Sequence, residues 1–347
     1  MELIKPGRLK PGDTVATVSL SSGVAGDLPH RYQAGKRQLE ETFGLRVVEA
    51  PNSQRDQEFL YRNPRARVDD LLWALTESTV AGIVSNIGGS ESVRLLPFLD
   101  LNVIREHPKV FMGFSDTTVQ HVAFLSAGVV SFYGPSVLTH FAENGGMHPF
   151  TVEAIHRALF SPQPIGDLQP ASEWTEHFLK WADPANQQVR RTFVPNPGWV
   201  WVQGREHSAV AGHLIGGCIE VLEMLKGTRW WPTPAAWDGA VLFFETSEVA
   251  PELWQVEEWL RNYALQGILD KVVGMLFARP HRYTFEKKLQ LFEVLRKVLA
   301  EVGRTELPIV ADMDFGHTSP MGVLPLGCRV CIDPRTCRVA VLEAGVV

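Results

Sequence analysis

The stretch "AGIVSNIGGSESVRLLPFLDLNVIREHPKVFMGFSDTT", residues 81–118, decides the fold. It begins with an apolar strand-like run, continues with the helix-like segment "SESVRLLPFL" at 90–99, and returns to a strand-like run, "KVFMGF", at 109–114. Short connections between alternating strand and helix patterns are typical of parallel strands crossed by helices. The stretch therefore predicts a β-α-β unit with Ser115 directly after its second strand.

The same alternation continues toward the N-terminus. Strand-like runs lie at 14–20 and 45–50, and helix-like segments lie at 31–43 and 65–77. This pattern predicts an α/β domain over residues 1–160, with a mostly parallel sheet covered by helices on both faces. Sheets of this kind place their sites on the loops at the carboxyl ends of the strands, where "SNIGGS" and "GFSD" fall.

The remainder of the chain divides into two parts. Residues 161–207 are rich in Pro, Gln and Trp and weak in periodicity, which predicts a connecting segment with functional loops. Strand and helix patterns resume over residues 208–347 and predict a second, smaller α/β domain. A length of 347 residues agrees with two domains, and the cleft between them is the expected site.

The composition is that of a globular enzyme, with 45% apolar and 21% charged residues. A net charge of −6 and the lack of a long basic run argue against a nucleic acid polymer as partner. No run of about 18 apolar residues is present, and the first residues lack a signal-peptide pattern. We therefore expect a cytoplasmic protein that does not interact with a membrane.

Three of the four cysteines, Cys328, Cys331 and Cys337, lie in "GCRVCIDPRTCRVAVLE". The C-x-x-C spacing is compatible with a metal or redox site, but no second pair and no nearby histidine complete a zinc site. The stretch is more typical of two strands around a "DPRT" turn. We expect no metal here.

Ser115 is either a nucleophile or a helix cap. A turn between a strand and a helix exposes the serine oxygen, and the following amides favour developing negative charge. Gly113, two residues earlier, allows close approach of the main chain. Capping by Ser115 or Asp116 would explain the same residues without chemistry. "GFSD" is not the G-x-S-x-G motif, so the local sequence leaves both interpretations open.

A nucleophilic serine needs a base, and His317 is the first candidate among the histidines. It follows the apolar strand "LPIVADM" in a loop that contains Gly and Pro. His281, also after a strand, is the second candidate, and His213 in "GHLIGG" is the third. His121 and His156 fall on helix-like segments and are expected to be surface or packing residues.

The base in turn needs an acid, and the intermediate needs hydrogen-bond donors. Glu245 ends the strand "AVLFFE" and is the better orienting residue; Glu248 falls where the next helix is expected to begin. Gly88 and Gly89 form a turn whose amides, with that of Asp116, would supply an oxyanion hole. A ligand-free turn explains the glycines equally well. The turn is too short for a dinucleotide or P-loop motif, so no nucleotide cofactor is expected.

Six sequence motifs span nearly the whole chain: "KPGDTVATVSLSS", "SNIGGSESVRLLPFLDLNVIREHPKVFMGFSDTT", "SFYGPS", "GHLIGG", "LFFETSE" and "DFGHTSPMGVLPLG". In this order they resemble the signatures of the LD-carboxypeptidase family of serine peptidases. The long segment before "GHLIGG", with "FFETSE" and "QGIL", is more similar to the microcin C self-immunity branch than to the shorter murein-recycling enzymes.

The resemblance implies the role of each site residue. Ser115 would be the nucleophile, His317 the general base and acid, and Glu245 the residue that orients the histidine. The amides of Gly89 and Asp116 would form the oxyanion hole. The resemblance also implies a flavodoxin-like N-terminal domain, an α/β C-terminal domain, a homodimer, and a reaction without metal or organic cofactor.

The connecting segment contains the tryptophans Trp174, Trp181, Trp199 and Trp201. Trp199 and Trp201 alternate in "GWVWV" and are expected to pack on one face of a strand. The resemblance implies an aromatic residue in this region that stacks on a nucleobase, and Trp181 in the polar "LKWADPAN" is our candidate, with packing as the alternative. The sequence "AGHLIGGC" departs from the family pattern, which often has Asn or another small polar residue near Cys218.

Three functions follow as hypotheses. The first is a serine peptidase that cleaves an amide-like bond near the C-terminus of a small peptide or peptidyl-nucleotide conjugate, with Gly88 and Trp181 contacting the substrate. The second is an LD-carboxypeptidase that removes the terminal D-Ala of a murein tetrapeptide. The third is a protein that binds a peptide or nucleotide without chemistry; a complete set of Ser, Glu and His argues against it.

Overall fold

The computed structural model describes residues 3–347 and divides most of their strands between two sheets. The strands are β1 (Thr14–Val18), β2 (Arg46–Glu49), β3 (Val80–Ser85), β4 (Val110–Gly113), β5 (Ser131–Tyr133), β6 (Gly166–Leu168), β7 (Glu173–Trp174), β8 (Val194–Pro195), β9 (Val200–Gln203), β10 (Val210–Cys218), β11 (Val241–Glu245), β12 (Gly274–Ala278), β13 (Ile309–Met313), β14 (Leu324–Leu326), β15 (Arg329–Asp333) and β16 (Arg338–Val341).

The first sheet has the strand order β14-β5-β4-β3-β1-β2. The five strands β1 to β5 are parallel, and only β14 runs antiparallel. The order β2-β1-β3-β4-β5 is that of flavodoxin-like folds, in which the strand order reverses between β1 and β3. The predicted α/β fold with a flavodoxin-like first domain is confirmed.

The second sheet has eight strands in the order β6-β16-β15-β10-β11-β12-β13-β9. Its four central strands, β10 to β13, are parallel, while β15, β16, β6 and β9 pair in antiparallel fashion. β11, β12 and β13 are buried at every position, which agrees with their continuous apolar runs. β15 and β16 are the two strands predicted around the "DPRT" turn, although only Cys331 lies within one of them, and all four cysteines are free thiols.

In the part of the chain that the structure describes, eleven α-helices cover the sheets: α1 (Val24–Asp27), α2 (Pro29–Phe43), α3 (Gln57–Arg62), α4 (Pro64–Thr76), α5 (Leu101–Glu106), α6 (Thr118–Ala127), α7 (Pro149–Ile155), α8 (Ile219–Glu223), α9 (Leu253–Leu265), α10 (Ile268–Lys271) and α11 (Phe285–Glu301). Within residues 3–347 none of them is long and apolar enough to span a membrane. The predicted helices at 31–43 and 65–77 correspond to α2 and α4.

Two segments differ from the sequence-based expectation. The helix predicted at 90–99 is a 3₁₀ helix, Ser92–Phe98, because Pro97 lies inside it and cannot donate a main-chain hydrogen bond. The segment predicted as a connection, 161–207, supplies β6 and β9 to opposite edges of the second sheet. Conversely, β14, which belongs to the C-terminal part of the chain, pairs with β5 in the first sheet. The two halves are therefore interleaved.

Candidate active site

The main chain of Ser115 adopts a left-handed conformation at the end of β4. Its φ of 62° is unfavourable for a residue with a Cβ atom, at a cost of about 1–3 kcal/mol. Ser115 begins the 3₁₀ turn Ser115–Thr117, which leads directly into α6. The turn is stabilised because Thr118 Oγ1 donates to the Ser115 carbonyl at 2.7 Å. This local geometry presents the serine oxygen to a cavity between the sheets.

Ser115, His317 and Glu245 form a continuous chain of contacts. His317 Nε2 lies 3.1 Å from Ser115 Oγ, and His317 Nδ1 lies 2.5 Å from Glu245 Oε2. Glu245 ends β11 and its side chain is fully buried. The order hydroxyl, imidazole, carboxylate is the geometry of a nucleophile with a base and an orienting acid. The structure brings together the three residues that the sequence analysis singled out.

The loop after β13 holds His317 against Glu245. Gly316 has a φ of 86°, and a Cβ atom there would collide with the Glu245 carboxylate, so only glycine fits. The main chains of Thr175 and Ser319 exchange two hydrogen bonds, of 2.6 and 2.9 Å. The segment 161–207 therefore fixes the loop that carries His317.

Tyr133, the last residue of β5, connects Ser115 to Glu245. Its hydroxyl accepts a hydrogen bond of 2.9 Å from the Ser115 amide and donates to Glu245 Oε1. Burial, together with the neighbouring Glu245, raises the pKa of Tyr133 well above its usual value, so the hydroxyl keeps its proton. The sequence analysis did not identify Tyr133.

The two turns proposed to form an oxyanion hole lie against the nucleophile. A Cβ atom on Gly88 would lie 2.9 Å from Ser115 Cβ and 3.3 Å from the Asp116 amide nitrogen. Gly88 and Gly89 both line the cavity. Asp116 is the second residue of its 3₁₀ turn, where an amide has no acceptor within the helix.

The side chain of Asp116 joins these turns. Its Oδ2 accepts hydrogen bonds from Ser21 Oγ at 2.5 Å, from the Glu91 amide at 2.9 Å, and from Ser92 through both its amide at 2.8 Å and its Oγ at 2.6 Å. These bonds link the loops after β1, β3 and β4. The relative position of the glycine turn and Ser115 is therefore fixed by one buried carboxylate.

The surroundings of His317 strongly raise the pKa of its imidazole. Burial alone would lower its pKa, but the carboxylates of Glu245 and Glu248 outweigh burial and raise the pKa of His317 to about 10. Glu248 Oε2 lies 3.0 Å from His317 Nε2, and its side chain is 61% exposed. This position corrects the expectation for Glu248: α9 begins at Leu253 with Glu252 as its cap, so Glu248 precedes the helix and faces the histidine.

The cavity beside Ser115 has a volume of about 490 Å³ and combines aromatic and charged walls. Trp181 lies on the wall that the connecting segment contributes, and the guanidinium carbon of Arg31 lies 4.6 Å from its ring centroid. Arg31 is almost fully buried and donates to the Leu138 carbonyl and to Asn144. Further wall residues are Ser22, Val24, Ile87, Phe114, Thr139, His140, Glu176, His177, Phe178, Arg191, His281, Arg282 and Ser319.

The other candidate histidines have different positions. His281 lines the same cavity, but the imidazole that contacts Ser115 Oγ is that of His317. His213 lies on β10 and bonds to the Ala236 carbonyl at 2.6 Å. His121 is buried between Ser131 and Gly113, and His156 packs against aromatic rings, so both are packing residues as expected.

The remaining tryptophans of the connecting segment lie outside the cavity. Trp174 stacks on the guanidinium of Arg279, at 4.7 Å from ring centroid to carbon. Trp199 and Trp201 pack against the apolar core, and Trp199 Nε1 donates to Asp314 at 2.8 Å. Within residues 3–347, no group of three or more His, Cys, Asp or Glu is arranged to hold a metal ion.

Two family models match the chain. Residues 15–134 match the LD-carboxypeptidase N-terminal domain, and residues 211–332 match the LD-carboxypeptidase C-terminal domain. This chain belongs to the LD-carboxypeptidase family. The first match ends just after Tyr133, and the second contains both Glu245 and His317.

Curated members of the LD-carboxypeptidase family align over almost their whole lengths. YocD of Bacillus subtilis is 29% identical over 96% of this chain and 97% of its own. A protein of Bacillus subtilis named "Probable murein peptide carboxypeptidase" is 27% identical over 99% of this chain and 95% of its own. The microcin C7 self-immunity protein MccF of Escherichia coli is 25% identical over 96% and 94%.

Solved structures of the LD-carboxypeptidase family have the same fold. An MccF-like protein from Streptococcus pneumoniae in complex with AMP has a TM-score of 0.84 and 26% identity, covering 95% of this chain and 98% of its own. The microcin C7 self-immunity protein MccF in complex with aspartyl sulfamoyl adenosine has a TM-score of 0.85 and 25% identity, covering 99% and 100%.

Proposed function

We propose that this protein is a serine carboxypeptidase that hydrolyses an amide-like bond near the C-terminus of a small peptide or peptidyl-nucleotide conjugate. The observation that carries the proposal is the chain of contacts from Ser115 Oγ through His317 to Glu245, at 3.1 and 2.5 Å. Three residues remote in sequence meet at one site, where Ser115 and His317 line the cavity and Glu245 is fully buried. A protein that only binds its ligand has no need for this arrangement.

The reaction would proceed through an acyl-enzyme. Ser115 Oγ attacks the substrate carbonyl while His317 accepts the hydroxyl proton, and Glu245 stabilises the resulting imidazolium. The amides of Gly89 and Asp116 donate to the oxyanion. As the C–N bond breaks, His317 returns the proton to the leaving nitrogen. Water then hydrolyses the serine ester by the same route, which releases the acid and restores the hydroxyl.

The preferred substrate class is an aminoacyl or peptidyl nucleotide. The Trp181 ring faces the cavity and is backed by the Arg31 guanidinium, an arrangement suited to stacking on a nucleobase. The two solved relatives described above were obtained with AMP and with aspartyl sulfamoyl adenosine. Hydrolysis of the latter compound would give aspartate and sulfamoyl adenosine. A role in microcin-type antibiotic immunity would follow from this substrate class.

A murein tetrapeptide is the second candidate substrate. It is favoured by the 27% identity to the protein named probable murein peptide carboxypeptidase, which extends over 99% of this chain. The product would be a tripeptide and D-Ala. The two substrates differ in the need for an aromatic platform, because a tetrapeptide contains no nucleobase.

Assays with both substrates on three variants test these proposals. Ser115→Ala should lower turnover about a thousandfold or more with the fold intact. Ser126→Ala is the matched control, since its hydroxyl bonds only to the Val122 carbonyl on α6. Trp181→Ala should raise KM for aspartyl sulfamoyl adenosine and leave that for the tetrapeptide unchanged.

The outcomes separate the candidate functions. Normal turnover by Ser115→Ala would overturn the serine mechanism. Turnover of the tetrapeptide alone would establish the murein substrate. Loss of labelling by a fluorophosphonate probe in Ser115→Ala, with labelling of the native chain, would exclude a protein that only binds.

Location and assembly remain proposals as well. We propose a cytoplasmic homodimer, on the basis of the family resemblance and the sequence composition. Cell fractionation tests the location, and light scattering after size-exclusion chromatography tests the assembly. A membrane-associated or monomeric protein would contradict these expectations.

A further inference from the structure

The contact between Glu248 and His317 requires a proton. Glu248 Oε2 lies 3.0 Å from His317 Nε2, the same nitrogen that faces Ser115 Oγ. A neutral imidazole that donates from Nδ1 to Glu245 has only a lone pair on Nε2, and a carboxylate is only an acceptor. Two acceptors at this distance repel each other. The contact is favourable when His317 is an imidazolium.

An imidazolium cannot start the proposed reaction. Its Nε2 already carries a proton and cannot accept the one from Ser115. The substrate-free site is therefore held in a resting state by two carboxylates, one of them buried at Glu245 and the other exposed at Glu248. Catalysis therefore requires that His317 lose its contact with one of the two carboxylates.

The exposed carboxylate is the one that can leave. Glu248 lies in the loop between β11 and α9, where Ala250 has a φ of 52°. Its side chain is 61% exposed, and it borders the same cavity as Ser115. Glu245, by contrast, is enclosed and also accepts a hydrogen bond from Tyr133.

Apart from Glu245, the other titratable and cationic groups around His317 do not stabilise its imidazolium as Glu248 does. Burial lowers the pKa of His140 to about 3 and also lowers the pKa of His281, so both imidazoles are neutral at pH 7. The positive charge of Arg191 contributes to the lowered pKa of His140. Arg282 donates a hydrogen bond of 3.3 Å to the main-chain oxygen of Glu248. An ammonium group on the substrate would give the Glu248 carboxylate a cationic partner in place of His317.

We propose that Glu248 recognises a free ammonium group on the acyl part of the substrate and, by exchanging partners, releases His317 as the base. This inference rests on the proposed serine mechanism and concerns its substrate selectivity. An α-ammonium group lies two bonds from the carbonyl carbon that Ser115 attacks. The Glu248 carboxylate and Ser115 Oγ both contact His317 Nε2. The carboxylate is therefore within reach of an ammonium group next to the carbonyl that Ser115 attacks.

The exchange conserves charge. Before binding, Glu248 neutralises the imidazolium; after binding, it neutralises the substrate ammonium, and His317 loses its proton to solvent. Binding of an ammonium substrate would thus release protons at pH values between the pKa of His317 in the resting site and its lower pKa in the complex. A substrate whose amine is acetylated offers no replacement cation and leaves the base protonated.

The test compares aspartyl sulfamoyl adenosine with its Nα-acetyl derivative over a range of pH. An opposite charge at this distance changes a pKa by about one unit at an exposed site. For the acetylated compound, Glu248→Gln should therefore move the acid limb of kcat/KM about one pH unit lower and raise kcat/KM at pH 7 about tenfold. The preference of the native enzyme for the free amine should disappear in the same variant.

Glu176→Gln is the matched control. Glu176 is the other carboxylate on the cavity wall and accepts from the Arg282 amide at 2.8 Å. This change should leave the position of the acid limb and the preference for the free amine as in the native enzyme. Circular dichroism and the thermal midpoint verify that each variant is folded.

The outcomes are distinct from those of the serine mechanism. An unchanged acid limb, or a retained preference for the free amine in Glu248→Gln, overturns the role of Glu248. If Ser115→Ala hydrolyses either compound normally, the proposed function itself fails. Full activity loss in Ser115→Ala together with an unchanged profile in Glu248→Gln would refute only the exchange.

Discussion

Tyr133→Phe removes one hydroxyl that serves two buried groups at once. The Ser115 amide loses its acceptor at 2.9 Å, and Glu245 Oε1 loses a donor. The ring itself remains, packed edge-on against Phe243 with 5.2 Å between centroids. The substitution therefore isolates the hydrogen bonds from the packing of the side chain.

The expected magnitude follows from these two losses. A hydrogen bond to a charged group contributes about 1.5–3 kcal/mol, and about 1.4 kcal/mol is a factor of ten in rate. If the bond to Glu245 acts in catalysis by fixing the carboxylate for His317, kcat/KM should fall about 10- to 150-fold. The orphaned Ser115 amide should lower the free energy of unfolding by about 1–3 kcal/mol.

The assay is a kcat/KM measurement with aspartyl sulfamoyl adenosine, paired with urea unfolding. Tyr263→Phe is the control: Tyr263 is fully buried, and within the described residues its hydroxyl has no hydrogen-bond partner. This control should retain activity and stability. Activity of Tyr133→Phe within twofold of the native enzyme would refute the positioning role, whatever its stability.

Three further predictions concern the surroundings of the site. Gly88→Ala should abolish activity because its Cβ atom would lie 3.0 Å from the nucleophile oxygen, whereas Gly7→Ala, with open space around the new atom, should not. Arg279→Ala should lower the free energy of unfolding by about 3–5 kcal/mol, since it leaves the buried Asp314 carboxylate without its partner at 2.9 Å; unchanged stability in urea would contradict this. The pKa of His317 near 10 predicts that kcat/KM for an amine-blocked substrate falls as pH drops through that value, because the base is then protonated; a profile that is flat above pH 7 would contradict it.

The positions of Ser115, Glu245 and His317 were predictable because each follows an apolar strand. In a parallel sheet, the residues at the carboxyl ends of the strands lie along one edge, which places Glu245 and His317 at the same edge of the second sheet. Ser115 lies at the edge of the first sheet, and its proximity to them was expected only from the family resemblance. The sequence patterns alone left Ser115 open between nucleophile and cap. The contact of Ser115 Oγ with His317 Nε2 at 3.1 Å is the observation on which our proposal of a nucleophile rests.

The contacts of Tyr133 and Glu248 in the site could not be predicted from strand patterns. Tyr133 ends the short strand "SFY", a pattern that indicates packing, and its partners Ser115 and Glu245 belong to different sheets. The position of Glu248 depends on where α9 begins. The capping box of Glu252 and Gln255 starts that helix at Leu253, and the preceding loop is then free to approach His317.

The interface between the two sheets is held together at the site itself. Tyr133 bonds across it to Glu245, and the Cys218 amide donates to Thr118 Oγ1 at 3.0 Å. Opening the cleft by separating the sheets would break these buried hydrogen bonds and leave their partners unsatisfied, at about 1–3 kcal/mol each. Movement of surface segments costs less. Substrate entry is therefore expected to involve the Glu248 loop and the wall around Trp181, while the nucleophile, base and acid stay assembled.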